Sequence, residues 1–472
     1  MGNQSIGLSE KDKQFREFAL NGNLWKVILY VCFPLAIFQL VNHVFNILDT
    51  MMASHISAEA VSAVAYLSQI QSMISALGTG LAIGSSLKIS EAFGAGNYEL
   101  VKKRLSTLIS LCFGIAIFVV LLMPFTPYFL RITGTPQAFI AIGSRYFIIT
   151  LLATVISFFN NVYIAIERAR GNSKRIMYLN TGIIILKLCL TAYFIYGLQA
   201  DITMIAVATV ISQFTLFLLA IKNLSNKNDV FGFDIKCVSF KANIISPMLH
   251  ISFPVIIEKV AFAMGKTVIN SMSKNYGALT VGALGISNNI SGSVTTIHNG
   301  FQDGGAAIIS QNLGANRLDR ALEAFKKILI INIIWGFIGW LLLIYFIQDI
   351  SYLFANSAAG LDTAFQQTII KVFMYDSFGS CVPLGINSAI MALLFGFGYT
   401  KLSLIINFSR VFVFRIPVLW ALQNFTSLGS ESVGIVMAVS NIGVALLSSI
   451  IAFFVVRHVK MQQISSSKEA SL

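Results

Sequence analysis

Apolar residues recur along the chain in long, nearly uninterrupted runs that are separated by short polar stretches. A helix of about 20 apolar residues crosses the hydrocarbon core of a membrane, which is roughly 30 Å thick. Several runs exceed that length, which predicts tilted helices or helices with a polar lining. The pattern therefore predicts an all-α polytopic membrane protein with twelve spans, at residues 27–52, 60–84, 105–124, 139–166, 176–196, 202–222, 246–272, 279–308, 326–347, 366–394, 403–422 and 432–456.

Composition agrees with that class. Of the 472 residues, 56% are hydrophobic and 11% are charged, whereas about a quarter of the residues of soluble domains are charged. The five cysteines are odd in number, four of them lie inside predicted spans, and their spacing matches no metal site. We interpret the cysteines as packing residues.

The net charge of +13 is distributed by topology. Lysines and arginines concentrate in the N-terminal segment, in the loops after even-numbered spans and in the C-terminal tail, and only Arg131 and Lys274 lie in loops after odd-numbered spans. This bias predicts a plasma-membrane protein with both termini in the cytoplasm. Residues 1–26 carry no small-residue cleavage site and are expected to be a cytoplasmic lead-in. No aromatic residues alternate with the basic patches, so nucleic acid is not an expected partner.

The chain contains an internal duplication. The sequence "ISEAFGAGN" at 89–97 is matched by "ISQNLGANR" at 309–317, an offset of 220 residues, and further along the offset becomes 227. Two units of six spans each are therefore predicted, an N-lobe at 27–222 and a C-lobe at 246–456, joined by a cytoplasmic linker at 223–245 and followed by a tail at 457–472. Six is an even number, so both lobes share one orientation and are related by a pseudo-twofold axis along the membrane normal. Other pairs at these offsets include Pro34 with Pro254, Gly80 with Gly300, Gly84 with Gly304, Gly171 with Gly398 and Asn180 with Asn407.

Several stretches resemble the multidrug and toxic compound extrusion (MATE) family, within the wider multidrug/oligosaccharidyl-lipid/polysaccharide exporter superfamily. They are "FPLAIFQLVNHVFNILDTMMASHISAEAVSAVA" at 33–65, "GTGLAIGSSLKISEAFGAGN", "HNGFQDGGAAIISQNLGANR", "NNVYIAIERARGNSK" and "AVATVISQ" at 206–213. They occur in the family's order and in both halves. The resemblance implies two six-helix bundles that form an outward-opening V. It also implies export of organic compounds driven by inward Na⁺ or H⁺ flow.

The first span carries a polar stripe. Its members recur at three- and four-residue steps, so they share one helix face, which is expected to line a wet cleft or to bond neighbouring helices. The acidic residue at its outer end, Asp49, matches the family's first-helix acid and is predicted to bind a cation or proton. The stripe includes Gln39, Asn42, Asn46 and Asp49, and Asn161 in the fourth span is a further cleft candidate.

The fifth span departs from the family, many of whose members carry Asn-x-x-x-Asp before "F-I-x-G". Here "LKLCLTAYFIYG" places Lys187 and Thr191 at those positions. Together with Asn180 they lie on one face and are predicted to take part in coupling. A structural counter-ion role for Lys187 is left open, and the missing acid puts the family's Na⁺ site in doubt.

The C-lobe repeats the polar face with other chemistry, since Lys259 replaces Gln39 and Lys266 replaces Asn46. Such a cleft of both signs suits zwitterionic or anionic cargo as well as cations. Further charges in this lobe are Asp376, Arg410 and Arg415, and its cleft candidates are Glu258, Lys266, Asn288 and Asn299.

We expect a secondary antiporter of drug-like or metabolite compounds that works by alternating access. Its partners would be a small-molecule substrate, a coupling cation (H⁺ or Na⁺) and membrane lipids, with no further cofactor, and we expect a monomer. A lipid-linked saccharide flippase or exporter is the alternative, because such proteins share the superfamily fold and often line their cleft with Lys and Arg. A channel is disfavoured by the duplication. An enzyme is not expected, since the chain has no P-loop and no His/Cys ligand cluster.

Overall fold

The computed structural model describes residues 8–53, 58–132, 135, 137–357 and 360–469. Nearly all of this chain is helical, which confirms the predicted fold class. The helices are α1 (Glu10–Asn21), α2 (Leu24–Ala53), α3 (Ala58–Gly94), α4 (Tyr98–Leu122), α5 (Thr126–Ile132), α6 (Gln137–Ala169), α7 (Ser173–Ala192), α8 (Ile202–Leu224), α9 (Ala242–Ser273), α10 (Ala278–Gly314), α11 (Leu318–Ala355), α12 (Thr363–Ser380), α13 (Val382–Gly396), α14 (Thr400–Phe412), α15 (Ile416–Phe425) and α16 (Glu431–Glu469). Two short strands, β1 (Asn356–Ser357) and β2 (Gly360–Leu361), pair antiparallel after α11.

Every predicted span coincides with a helix or with a pair of helices. In the described part of the chain, eleven helical segments are long and apolar enough to cross a membrane. The eighth predicted span corresponds to α10, which is as long as its neighbours but is not among those eleven, because serine, asparagine and glycine interrupt its apolar residues. It packs between α2, α11 and α13, so a polar helix is shielded by apolar ones.

Two predicted spans are broken in the middle. The tenth is divided at Cys381 into α12 and α13, and the eleventh is divided at residues 413–415 into α14 and α15. Each second half has a proline, Pro383 or Pro417, as its second residue. Proline has no backbone N–H to donate and is best accommodated where a helix starts, so the breaks follow from the sequence.

The segments outside the predicted spans also contain helices. The lead-in at 1–26 contains α1 and the first residues of α2, and helix α9 begins at Ala242 within the linker. Helix α16 continues to Glu469, past residue 457, where the tail is predicted to start.

Four helices join the two lobes. Helix α2 packs against α10, and α3 packs against α9 and α10. The closest approaches occur at glycines in equivalent places. A Cβ atom on Gly80 would lie 2.6 Å from the Ile256 side chain, and one on Gly300 would lie 2.4 Å from the Ala36 backbone. The two contacts are related by the 220-residue offset, because Gly300 corresponds to Gly80 and Ile256 corresponds to Ala36. The duplication is therefore present in the packing as well as in the sequence.

A second matched pair lies where α3 and α10 end. A Cβ atom on Gly94 would meet the Gln311 carbonyl at 2.0 Å, and one on Gly314 would meet the Glu91 carbonyl at 1.9 Å. The offset is again 220. Only glycine permits such close backbone contact, so both lobes use the same residue type to touch at this end.

Helix α1 lies across this end of the bundle, which we name the terminal end because α1, the 223–245 linker and the last turns of α16 all lie there. Asp12 is buried and accepts hydrogen bonds from Arg170 Nε at 3.1 Å and Nη2 at 2.7 Å. Arg170 also lies 3.2 Å from the carboxylate of Asp229 in the linker. Burial lowers the pKa of Arg170, but Asp12, Glu167 and Asp229 raise it by more, so its pKa lies above the ordinary value.

The other end of α1 is held by the C-lobe. Arg317 donates to the carbonyl of Leu20 at 2.7 Å, and Arg320 donates to the carbonyls of Ala19 and Gly22. Cationic groups are favourable at a helix C-terminus, where the last carbonyls have no partner in the helix. Helix α1 is therefore anchored to both lobes.

Candidate functional site

The polar stripe of α2 is half-buried at its start and exposed further along the helix. Gln39 and Asn42 are half-buried, whereas Asn46 is exposed and makes a further contact of its own. Val44, an exposed apolar side chain, precedes Asn46 by two residues. Two residues correspond to about 200° around a helix, so Asn46 faces away from the apolar, lipid-compatible side. The side chain of Asp49 lies outside the described residues, and its predicted role stays a prediction.

Helix α7 supplies three of the predicted coupling residues and packs against α2. Asn180 is buried and donates to the carbonyl of Ile176 in its own helix, at 2.8 Å. Thr191 is fully buried, and its hydroxyl has no hydrogen-bond partner in the described part of the chain. Lys187 is half-buried and engages another group. A buried hydroxyl without a partner is rare, and here it identifies a polar position in the last turn of α7.

Asn161 in α6 is a helix-bridging residue. Its amide donates to the hydroxyl of Thr79 in α3 at 3.2 Å, while the adjacent Asn160 donates to Gln213 Oε1 in α8 at 2.7 Å. These bonds hold the N-lobe helices together, which is the structural role that asparagines have in many membrane bundles. Asn161 remains half-buried.

The two predicted cleft residues of α10, Asn288 and Asn299, are both exposed. Residues beside them hold the lobes together. The ring of His43 in α2 lies 2.9 Å from the carbonyl of Asn289 and fills the space beside Gly292. The two asparagines are therefore placed next to the contact between the lobes.

Glu258 is directed away from the cleft face of α9. It is buried against α14, where its carboxylate accepts a hydrogen bond from Ser403 at 3.0 Å. The adjacent Lys259 is half-buried and lies about 100° further around the helix. The structure thus separates the two, as their adjacency in the sequence requires.

A second buried carboxylate, Asp376 in α12, is surrounded by hydroxyl groups. It accepts hydrogen bonds from Ser287 at 2.8 Å and Ser291 at 2.9 Å, both in α10, and from Ser380 at 2.5 Å. None of the described cations lies within ion-pair distance of it. Burying a carboxylate is costly unless its oxygens are satisfied, and here three hydroxyls provide that satisfaction.

The hydroxyl shell of Asp376 continues into a pair of arginines. Asn441 in α16 donates to Ser380 at 3.0 Å, and its side-chain oxygen accepts from Arg410 at 2.7 Å and from Arg415 at 3.2 Å. Asn441 is completely buried. Sequence reasoning identified these charges and not Asn441, because a lone asparagine among apolar residues carries no signal of its long-range partners.

Lys266 and Arg410 lie against one aromatic ring. The ammonium of Lys266 is 5.1 Å from the ring centre of Phe262, and the guanidinium carbon of Arg410 is 5.3 Å from the same centre. Both cations thus lie within the range of a cation–π contact with one ring. We name the group of Lys259, Phe262, Lys266 and Arg410 the Phe262 cluster.

Among the described residues, no group of three or more His, Cys, Asp or Glu side chains is placed so that it could hold a metal ion. The five cysteines are free thiols. Cys32, Cys112 and Cys381 are buried, as expected of packing residues, whereas Cys189 is exposed.

A duplicated helical bundle with polar and charged side chains between its lobes defines a multi-pass membrane transporter. The MatE family profile matches residues 34–193 and again residues 254–421, at the offset found in the sequence. The chain therefore belongs to the MATE family, whose members are transporters.

Curated relatives agree with this assignment. The chain is 23% identical over 415 residues to the probable multidrug resistance protein YoeA of Bacillus subtilis, covering 86% of this chain and 88% of that protein. It is also 23% identical to the multidrug export protein MepA of Staphylococcus aureus, covering 68% of this chain and 71% of that protein.

Solved structures share the fold. A multidrug resistance MATE family transporter in an outward-facing conformation superimposes with a TM-score of 0.88 at 20% identity, covering 96% of this chain and 99% of that one. A MATE protein in complex with MaL6 gives a TM-score of 0.89 at 20% identity, covering 96% and 100%.

Proposed function

We propose that this protein is a secondary active antiporter that exports drug-like or metabolite compounds by alternating access, driven by inward flow of H⁺ or Na⁺. The matched packing of α2 with α10 and of α3 with α9 carries this proposal. Two similar lobes that meet about a pseudo-twofold axis can rock against each other and open a central cleft to each side in turn. The names of the relatives in Bacillus subtilis and Staphylococcus aureus support organic compounds as cargo.

The proposed coupling group is Asp49 in α2, together with Asn180, Lys187 and Thr191 in α7. The packing of α7 against α2 and the unpartnered buried hydroxyl of Thr191 support a polar pocket there. Closure around a carboxylate that has taken up a proton or cation avoids part of the cost of burying a charge. A nearby Lys187 would oppose protonation because it stabilises the charged form.

The test uses purified protein in liposomes with an imposed H⁺ or Na⁺ gradient and ethidium as cargo. We expect Asp49→Asn to abolish gradient-driven transport while leaving the thermal midpoint unchanged. The matched control is Asp201→Asn, because Asp201 caps α8 through the N–H of Thr203 and asparagine caps equally well. Near-normal transport by folded Asp49→Asn protein contradicts the coupling role.

Lys187 has two candidate roles, coupling or structural. If it takes part in coupling, Lys187→Ala changes the pH and Na⁺ dependence of transport more than it changes the range of cargo. Unchanged pH and Na⁺ profiles reduce it to a structural counter-ion. The thermal midpoint of the variant then measures that structural role.

We further propose that the terminal end faces the cytoplasm of a cell whose plasma membrane holds the protein. Cysteine labelling decides this in a background without the native cysteines. An impermeant maleimide added to intact cells should react with Ser357→Cys and not with Ser225→Cys. Reaction at position 225 contradicts the proposed orientation.

A lipid-linked saccharide flippase or exporter is the second candidate, and the cations of the C-lobe favour it because diphosphate groups bind lysine and arginine. Liposomes with a fluorescent lipid-linked diphosphate in one leaflet separate the two functions. Antiport of ethidium without lipid movement supports the first candidate, and lipid movement without antiport supports the second.

A further inference from the structure

The lysines of the Phe262 cluster lie on the face of α9 that turns away from lipid. Exposed apolar side chains, Ile257 and Met264, mark the lipid-compatible face. Lys259 and Lys266 follow them by two residues each and are therefore rotated from them by about 200°. Lys266 is also exposed, so its side chain is not part of the packed interior.

The cations of this region are not neutralised by the nearby acids. Glu258 is bonded to Ser403 on another face of α9, and Asp376 is bonded to three serine hydroxyls. In the described part of the chain, neither Lys259 nor Lys266 forms a hydrogen bond or ion pair, and neither carboxylate lies within ion-pair distance of them. Charges in a membrane interior are costly unless water or a counter-charge reaches them.

Arg410 is held in place and keeps donors to spare. Its Nε and Nη2 atoms both donate to the side-chain oxygen of Asn441, at 3.0 and 2.7 Å. A guanidinium has five N–H groups. Within the described residues, the Nη1 donors of Arg410 have no acceptor. A fixed guanidinium with free donors beside a free ammonium is the arrangement that binds planar oxyanions.

We propose that the Phe262 cluster binds the oxyanion group of a transported organic compound, a carboxylate, sulfonate or phosphate, with Lys266 and Arg410 as the charge partners. The ring of Phe262, which both cations approach, offers an apolar surface to the rest of the ligand. The equivalent of Lys266 in the N-lobe is Asn46, which is equally exposed and uncharged. This inference rests on the proposed transport function only in taking the bound compound to be cargo.

The binding test compares two probes that differ in one charge, 7-methoxycoumarin-3-carboxylate and 7-methoxycoumarin-3-carboxamide, by equilibrium dialysis with the purified full-length protein. We expect the wild type to prefer the carboxylate. Lys266→Gln should weaken carboxylate binding about tenfold, the usual effect of losing a charge-assisted hydrogen bond, and leave carboxamide binding unchanged. Lys266→Arg should retain the preference.

The matched control is Lys274→Gln, which removes an exposed lysine just beyond the end of the same helix. It should bind both probes as the wild type does. Thermal midpoints establish that the Lys266 variants are folded, and Arg410→Lys provides a second charge-conserving variant. Equal binding of the two probes by the wild type, or an unchanged carboxylate preference in Lys266→Gln, overturns the proposal.

Farnesyl diphosphate, added as competitor, identifies the source of the oxyanion. If a low concentration of farnesyl diphosphate displaces the coumarin carboxylate, the natural ligand is a lipid diphosphate. Weak displacement supports a small organic anion. Liposome transport of ethidium separates this site from the proposed function. If neither ethidium nor the coumarin carboxylate is transported while the carboxylate preference persists, the antiport proposal fails and the site stands. If ethidium is transported and binding is charge-independent, the site fails and the antiport proposal stands.

Discussion

The two lobes share a backbone and differ in the chemistry of their facing sides. Helix α2 of the N-lobe exposes the uncharged Asn46, and helix α9 of the C-lobe exposes Lys266 at the equivalent position. The glycine contacts between the lobes, by contrast, are matched in both directions, as at Gly80 and Gly300. The comparison shows that duplication preserved the surfaces on which the lobes meet and left the surfaces that face the cleft free to diverge.

The charges of the C-lobe are embedded in a supporting network. At the 227-residue offset, Arg410 corresponds to Ile183, which is buried among apolar side chains. A guanidinium can replace an isoleucine only where an acceptor exists, and Asn441 provides it for both Arg410 and Arg415. A charged site in a membrane bundle therefore arises together with its partners.

The largest expected difference in local stability is between the two anchors of α1, the ion pair of Asp12 with Arg170 and the hydrogen bonds donated by Arg320. Asp12→Ala leaves Arg170 without its closest partner in a buried site and should cost about 3 kcal/mol of local stability. Arg320→Ala loses hydrogen bonds to carbonyls at a partly exposed site and should cost about 1 kcal/mol. Hydrogen exchange of the α1 amides measures both effects.

The control for this comparison is Lys13→Ala, whose ion pair with Glu10 is exposed and should contribute little. Faster exchange in α1 for Arg320→Ala than for Asp12→Ala would show that the C-lobe is the stronger anchor.

A smaller difference is expected between the amides on the last helix of each lobe. Asn441→Ala removes the acceptor of two arginines and should lower the free energy of unfolding by about 2–3 kcal/mol. Gln213→Ala removes one of the two acceptors of the neutral Asn160, keeps the backbone carbonyl of residue 213 as the other, and should cost about 1 kcal/mol. Thermal unfolding in detergent compares them, and equal losses would mean that the arginines find other acceptors.

The smallest difference tests the symmetry of the interface itself. Gly300→Ala directs a Cβ atom at the Ala36 backbone, which cannot yield, and should cost about 2 kcal/mol of stability. Gly80→Ala meets Cγ1 of Ile256 at 2.6 Å and the Ile256 backbone nitrogen at 2.9 Å, which are longer approaches than those at Gly300, and should cost about 1.5 kcal/mol.

Gly285→Ala is the matched control in α10, since no atom lies within 4 Å of the added Cβ, and alanine favours a helix over glycine by up to about 1 kcal/mol. Thermal midpoints rank the three variants. A loss for Gly285→Ala as large as that for Gly300→Ala would indicate a general intolerance of α10.

Much of the scaffold could be read from local patterns. Each long apolar run is helical in the structure, and the duplication at offsets of 220 and 227 residues predicts equivalent backbone conformations in the two lobes. Gly171 and Gly398 both have positive φ angles, 77° and 78°, at the turns after equivalent helices. The helix breaks before Pro383 and Pro417 and the helical α1, capped by Ser9, carried local signals that the search for long apolar runs passed over.

What the sequence by itself determined is the class, the helices and the repeat, because hydrophobicity, proline and glycine act over a few residues or recur at a fixed spacing. Only the tertiary structure decided the partners: Asp12 with Arg170, Asp376 with the serines of α10, and both arginines with Asn441. These partners are between 26 and 158 residues apart in the chain. No local pattern encodes such pairs, since they depend on which helix faces meet after the whole bundle has packed.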